Sequence, residues 1–463
     1  MSKSVDHTNL HRTAKYFMDN GRAATPEDAM SILEGFGLNV VVGGEVVTSR
    51  DHQIALLTLV NTARRTFLGG IEVAGAPDAE LFVNLGAGSS LHSAIRHLGG
   101  TVTSEPRGDW PTAIIGTPEK WPVQGPAWQL HWSGWRGGVR PVHDESLEPQ
   151  GDAIALAPIL AAAICVSEVF AYHSGDHPMA GLRSAGISLW CPDHDWLIED
   201  LGEPQLSDLP SRLWIVGLGN LGQAYSWILA CLPYENHSAV ELVLQDFDEL
   251  GDSNESTSLL STLQDVGRKK TRVVAEWLET IGFQTSIEER RFGAWSRRAP
   301  HEPGVALWGV DNALARVSID DADFELVVEA GLGSGPNGFR NFSLHTLPAS
   351  RSSAQIWSQH LSSTSPIVSD APAYDVLKKR GVDECGLAQL ASRTVGVPFV
   401  GLTAGVFVIA ELLRRLHGTL GFELLSGSLQ SIGDIEYVSK ETVPYALGHV
   451  HCDQTASNSK LVA

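Results

Sequence analysis

Two carboxylates and an amide follow a strand-like run in "LQDFDELGDSNESTS" (244–258): Asp246, Asp248 and, six residues later, Asn254. No histidine or cysteine accompanies them, so a zinc site is the wrong chemistry. Upstream, "GLGNLG" holds Gly217, Gly219 and Gly222. Glycines there let the backbone approach a phosphate, and the N-terminus of a following helix offers free N–H groups. Asp246 and Asp248 lie 24 and 26 residues after Gly222. One acid at that distance is expected to hold ribose hydroxyls. The second points to a further task, a magnesium ion or the ribose itself. Lys270 stands sixteen residues beyond Asn254, and Asp311 ends a later apolar run. An amide and an ammonium are donors suited to phosphate oxygens. Each residue alone reads as a cap or a solvated charge. Together, three acids, a lysine and an amide suit Mg·ATP better than a hydride carrier. An NAD oxidoreductase would leave Asn254, Lys270 and Asp311 without roles.

These residues need a frame that gathers strand ends. "LWIV" (213–216), "VELVLQD" (240–246), "VALWGVD" (305–311) and "LVVEAGLG" (326–333) read as strands. They are apolar without alternation, as strands covered on both faces are. "QAYSWILACL" (223–232) and the amphipathic "VGRKKTRVVAEWLETIG" (266–282) read as helices, the second with Val266, Val273, Trp277, Leu278 and Ile281 on one face. Strand–helix alternation implies an α/β, doubly wound and mostly parallel sheet, which gathers ligands at its carboxyl edge. The first half echoes this. "DHQIALLTLVNTARRTFLGG" (51–70) reads as a helix, "AELFVNLGAGSSLHSAIRHLGG" (79–100) as strand, turn and helix, and "TAIIGTP" (112–118) as a strand. The proline-rich "EDLGEPQLSDLPS" (199–211) is the expected domain boundary. It divides the chain into residues 1–205, 206–447 and a flexible tail, 448–463.

The run from Gly217 to Asp311 resembles the adenylation domain of the ThiF/MoeB superfamily, which includes ubiquitin-activating enzymes and sulfur-carrier adenylyltransferases. The shared pattern is GLGNLG, Asp246-Phe247-Asp248, Asn254, Lys270 in "DVGRKK" and Asp311 in "GVDNALAR". The resemblance implies a Rossmann-like adenylation domain preceded by a degenerate, inactive one. It also implies binding of ATP with Mg2+. Gly217, Gly219, Gly222, Asp246, Asp248, Asn254 and Lys270 would hold the nucleotide, and Asp311 would orient the magnesium and the incoming carboxylate. That carboxylate would be the C-terminal glycine of a ubiquitin-like protein. One position departs from the pattern: an arginine is usual three residues after the asparagine, and this chain has Thr257 there. Arg64, Arg65, Arg268 or Arg272 could supply the charge. "ARRTFLGG" and "GISLWCP" further resemble activating enzymes of bacterial ubiquitin-like conjugation operons, which carries an expected setting in antiviral defence.

Many members then capture the acyl group on a cysteine before handing it to a conjugating enzyme. Cys165 and Cys231 fall in apolar runs, Cys191 precedes the core and Cys452 is near the end. Cys385, in "RGVDECGLAQLASRT", follows a polar stretch and is the expected nucleophile. The catalytic set is then Cys385, Asp311 and Lys270. A sulfur-carrier adenylyltransferase would need no such thiol, and a pseudo-activating scaffold would bind its partner without chemistry. Association of two chains as a homodimer is left open.

The bulk properties exclude other classes. A net charge of −21 over 463 residues repels phosphodiesters, so neither nucleic acid nor an anionic membrane is the expected partner. Five scattered cysteines without a CxxC pair give no disulfide framework or four-cysteine zinc site, and a reducing, cytoplasmic location is expected. "AIALAPILAAAICVS" (153–167) and "TVGVPFVGLTAGVFVIA" (394–410) are uncharged but short, and read as buried core.

Overall fold

Short aliphatic runs become two sheets built on one plan. The computed structural model describes residues 9–119, 125–142, 147–198, 202–358, 371–392, 394–418, 420–442 and 448–453. In the first sheet are β1 (Gly37–Val42), β2 (Gly70–Ala74), β3 (Thr101–Thr103), β4 (Thr112–Ile115), β5 (Ala127–Ser133), β6 (Arg136–Pro141) and β7 (Ala185–Ser188). Their order is β3-β2-β1-β4-β5-β6-β7. After β8 (Asp208–Pro210), the second sheet comprises β9 (Arg212–Val216), β10 (Glu241–Gln245), β11 (Gln284–Glu288), β12 (Val305–Trp308), β13 (Leu326–Leu332), β14 (Asn341–Leu347), β15 (Leu420–Ser428) and β16 (Glu436–Glu441). Its order is β11-β10-β9-β12-β13-β14-β15-β16. In each sheet the first five strands of that order pair in parallel and the remainder pair antiparallel. The chain direction across the sheet reverses beside β1 in one and β9 in the other, which makes two switch points. The echo heard in the first half of the sequence is thus a repeat of topology.

Four long helices, Arg50–Arg64, Leu156–Ser174, Asn220–Cys231 and Pro398–His417, pack on one another in the interior. Small residues permit the close approach: a Cβ at Gly405 would meet Ile228 Cδ1 at 2.9 Å and Ala224 Cβ at 3.3 Å. Leu156–Ser174 is the one described helix long and apolar enough to cross a membrane, and 89% of its apolar window is buried in protein. A helix covered on every side needs no polar stripe, which accounts for its composition.

Four segments differ from the sequence reading. The helix expected over 51–70 runs from Arg50 to Arg64, and Gly70 already belongs to β2. Residues 79–90 form no strand; only the helix Leu91–His97 follows. Their backbone groups find side-chain partners instead. Gln53 donates to Glu80 O and accepts from the Phe82 N–H, and Trp277 donates to Leu85 O. The second amphipathic helix begins at Lys270, not at 266. Gly267, at φ +85°, breaks the turn, and the backbone of 267–270 bonds to 248–250. Val266 is consequently exposed. At the C-terminus, β17 (His449–His451) pairs antiparallel with β8, so this part of the expected tail is a strand; residues 454–463 lie outside the described set.

Candidate functional site

At the switch point of the second sheet the carboxyl ends of β9, β10 and β12 open into a cavity of about 750 Å³. Gly217, Gly219, Asp246, Asp248, Asn254, Lys270 and Asp311 all line it. The seven come from five separate stretches of sequence, and the sheet brings them together. Gly222 is the exception. A Cβ there would collide with Gly217 O, so this glycine seats the helix on the strand and does not face a ligand. Gly217 adopts φ +87°, which a side chain would resist.

The two aspartates have separate tasks. Asp246 accepts from the Leu218 N–H at 2.7 Å and from the Asp248 N–H at 2.9 Å, so one oxygen braces the glycine turn and the other its own loop. Asp248 is the more open of the pair, and its Oδ2 lies 2.9 Å from Lys270 Nζ. Lys270 is buried at the first position of its helix and also lies 3.9 Å from Asp246. Asn254 Oδ1 accepts from the Gly251 N–H at 2.9 Å, while its Nδ2 has no partner among the described residues. Asp311 is exposed just beyond β12, and Asn312 beside it caps the helix Ala313–Val317.

No arginine suggested by the sequence fills the place opposite Thr257. Arg64 pairs with Glu255, and the buried Arg65 donates to the carbonyls of Glu255, Leu259 and Ser261. Arg268 pairs with Asp265 and Glu276, and Arg272 with Glu289. None of the four lines the cavity. Arg12 does, from an N-terminal segment that the sequence reading passed over. It donates to Thr394 O at 2.6 Å, and its backbone N–H donates to Ser256 Oγ at 3.1 Å. A Cβ at Gly396 would meet Thr257 Cγ2 at 2.7 Å and Arg12 Cβ at 3.1 Å, so Thr257 and Arg12 flank one glycine. With Lys270, Arg290, Arg291 and Arg316, the cavity is lined by five cations against the three aspartates, in a chain of net charge −21. Two of the five are paired with acids outside the lining, Arg290 with Glu288 and Arg316 with Glu329, so the cavity offers cations and carboxylates in near balance, which suits a polyanion that carries a metal ion.

The segment that carries Arg12 is wedged into the protein. Thr13 donates to Gly396 O, Tyr16 to Asp176, and Tyr374 donates to Asp19. His11 is buried, and burial pulls its pKa down to about 4 against the raising effect of Glu255. Between the ordinary 6.5 and about 4, the unfolded chain takes a proton that the folded chain refuses. The His11 contribution to stability is therefore lost as pH falls through that window, at about 1.4 kcal/mol per pH unit. Asp51, raised to about 6 by burial, acts in the opposite sense as pH rises from 3.8. Removing the imidazole should isolate the first effect. His11→Gln is expected to lose less melting temperature than the wild type between pH 6.5 and 5; thermal melts with equal slopes would refute this.

The first sheet has an equivalent crevice after β1 and β4, and the protein fills it. Glu45 places its carboxylate against Gly43 and Gly116 and accepts from the Thr117 N–H at 3.0 Å. A fixed carboxylate at that point repels a phosphate. No motif in the sequence flagged Glu45, because the loop it plugs is defined only once the sheet exists.

The four described thiols all have raised pKa values. Burial pushes Cys231 up to about 12 and Cys452 up to about 11, and raises Cys165 and Cys191 as well. Thiolate formation is disfavoured at each. Cys385 falls in the first turn of the helix Glu384–Ser392, but its side chain lies outside the described residues. Among the described residues no three His, Cys, Asp or Glu side chains converge as a metal site.

Comparison with known proteins places the whole chain beside one group. The family described as BilD N-terminal domain matches residues 37–189, and that described as BilD C-terminal domain matches 209–419. The bacterial E1-like protein BilD of Collimonas sp. (strain OK412) is 53% identical over 449 residues, covering 97% of each chain. Among solved structures, E. coli MccB with ATP is 14% identical with a TM-score of 0.33, covering 50% of this chain and 65% of its own. TcdA (CsdL) is 13% identical with a TM-score of 0.29, covering 44% of this chain and 85% of its own.

Proposed function

The chain belongs to the BilD family of bacterial E1-like proteins, and we propose that it activates a ubiquitin-like protein at the expense of ATP. The observation that supports this most directly is the cavity after β9, β10 and β12, where five cations and three aspartates surround a glycine turn. The donor's C-terminal carboxylate attacks the α-phosphorus. The bond from that phosphorus to the bridging oxygen breaks, and pyrophosphate leaves with the electron pair, giving an acyl-adenylate. The Gly217–Asn220 turn and the helix N-terminus behind it cradle the phosphates. Asp248 holds the ribose. Lys270, released from Asp248 by the nucleotide, and the free Asn254 amide stabilise charge that grows on the phosphate oxygens. Asp311, an exposed carboxylate with no partner among the described residues, is a fitting hard ligand for magnesium, which when bound would neutralise phosphate charge. Cys385 then takes the acyl group as a thioester with loss of AMP, and a conjugating enzyme receives it. The setting is bacterial ubiquitin-like conjugation.

Arg12 takes the part of the arginine that Thr257 lacks. Its guanidinium donates to Thr394 O, a neutral acceptor that a phosphate oxygen outcompetes. Arg12→Ala is expected to raise the KM for ATP about tenfold, the worth of one charge-assisted hydrogen bond. Arg12→Lys would restore only part of this, since the planar fork is lost. Unchanged KM in both variants would remove Arg12 from the site.

The test of the reading is ATP–pyrophosphate exchange with ubiquitin-like proteins encoded beside this chain. Exchange that requires such a protein, and its intact C-terminus, is the expected result. Binding of the protein without exchange would point to a scaffold.

A further inference from the structure

Arg65 of "ARRTFLGG" does not line the nucleotide cavity, and the fold gives it another task. Asn254 stands on a stretch, residues 251–261, in which only the short turn Asp252–Ser256 is regular. No strand or long helix sets the path of this loop. A side chain of the first domain does. Arg65 follows the helix Arg50–Arg64 and is 2% exposed. Its guanidinium donates to Glu255 O, to Ser261 O at 3.0 Å and to Leu259 O at 2.9 Å, and its Nε–H donates to Asn61 Oδ1 at 3.2 Å. The Asn61 amide adds a second bond to Leu259 O, at 3.1 Å. Three carbonyls of one loop thus converge on one cation, from 190 to 196 positions away. Burial pulls its pKa only down to about 9, so it keeps its charge at neutral pH. A planar fork of five N–H groups can span such a set, and a lysine ammonium cannot.

The second domain holds the other side of the loop. Gln223 is fully buried on the helix behind the glycine turn. It accepts from the Leu260 N–H at 2.8 Å, and donates to Ser261 Oγ at 2.7 Å and to Leu218 O in the turn at 3.2 Å. Within the loop, the Thr257 and Ser258 N–H groups both bond to Asn254 O. The backbone that carries the Asn254 amide is therefore tied into one buried network. That network runs from the first domain to the glycine turn.

We propose that Arg65 is a positioning residue for activation: the first domain uses it to fix the loop that aims the Asn254 amide. The step rests on the reading of the cavity as an ATP site.

The experiment is a double-mutant cycle of Arg65→Lys and Asn254→Ala in the whole chain, read by ATP–pyrophosphate exchange with a ubiquitin-like protein. Arg65→Lys alone should lower kcat about tenfold and change the KM for ATP less than about twofold, because the amide acts on charge that grows in the transition state. In the Asn254→Ala background the same substitution should change kcat less than about twofold, as residues that act through one another are not additive. Thr58→Val is the control. It removes the 3.1 Å bond from Trp227 Nε1 at the same interface and touches neither loop nor turn. It should lower the melting temperature and leave kcat unchanged. Where Arg65→Lys does not fold, Asn61→Ala takes its place in the cycle, with a loss of about threefold expected from one missing bond to Leu259 O and one to Arg65. A loss that persists undiminished in the Asn254→Ala background, or that Thr58→Val reproduces, would overturn the assignment and leave the ATP reading in place. A wild type that neither binds ATP nor supports exchange would overturn both.

Discussion

Replacing Asp311 with alanine is expected to lower ATP–pyrophosphate exchange by about 10²–10³, the worth of one group aimed at charge in a transition state. It should do so without cost to the fold. Asp311 is exposed, and no described residue bonds to its carboxylate; surface changes of this kind stay within about 0.5 kcal/mol. The pair of measurements is decisive because it separates chemistry from stability: exchange lost, melting temperature kept. Lys270→Ala should be as damaging by another route. Its ammonium is buried and lies 2.9 Å from Asp248 and 3.9 Å from Asp246. Without it two carboxylates face the cavity unneutralised and repel the triphosphate. The loss should therefore appear first in the KM for ATP, whereas Asp311→Ala acts mainly on kcat. Exchange at wild-type rates in Asp311→Ala would place the acyl donor elsewhere.

Loss of the Cys385 thiol should split the reaction in two. Cys385→Ala is expected to keep exchange near the wild-type rate and to form no thiol-sensitive adduct with the ubiquitin-like protein. Cys385→Ser should give an adduct that resists thiol reagents, since the ester oxygen replaces sulfur. The argument rests on the alternatives as much as on Cys385. Cys165 and Cys231 are fully buried, and Cys191 and Cys452 are raised as well, so none of the four supplies a thiolate readily. Cys385 is in the first turn of the helix Glu384–Ser392. The helix ends at Ser392, two residues before Thr394, which lines the nucleotide cavity and accepts from Arg12. An adduct that survives Cys385→Ala would assign another nucleophile. No adduct from the wild type, with exchange intact, would mean that the reaction stops at the adenylate.

The glycine turn, the aspartates after β10, Asn254, Lys270 and Asp311 were legible because each is tied to a local element. A strand of uninterrupted aliphatic residues, a turn that needs glycine and a helix with one apolar face are written in neighbouring positions. Their spacing then fixes which residues reach the carboxyl edge of a parallel sheet. The same locality misled at 79–90, where an apolar, glycine-containing run looked like strand and turn. Gln53 and Trp277 satisfy that backbone instead, and both are distant in sequence.

Spacing had no means of reporting contacts across hundreds of residues. Arg12 reaches Thr394 over 382 positions and Ser256 over 244. It reads as one more charge in a polar start until the N-terminal segment docks. Glu45 fills the first crevice only because β1 and β4 lie side by side. Asp246 and Asp248 look equivalent in the motif. The fold separates them, since Asp246 spends its oxygens on the Leu218 and Asp248 N–H groups while the more exposed Asp248 pairs with Lys270. The sequence by itself determined which elements form and which residue types stand at their ends, because those follow from short-range sterics and periodic burial. Which charges meet, which carboxylate is spent on the protein and which cation is left for a ligand were decided only by the tertiary structure. Electrostatic and hydrogen-bond partners depend on distance in space, and distance along the chain does not encode it.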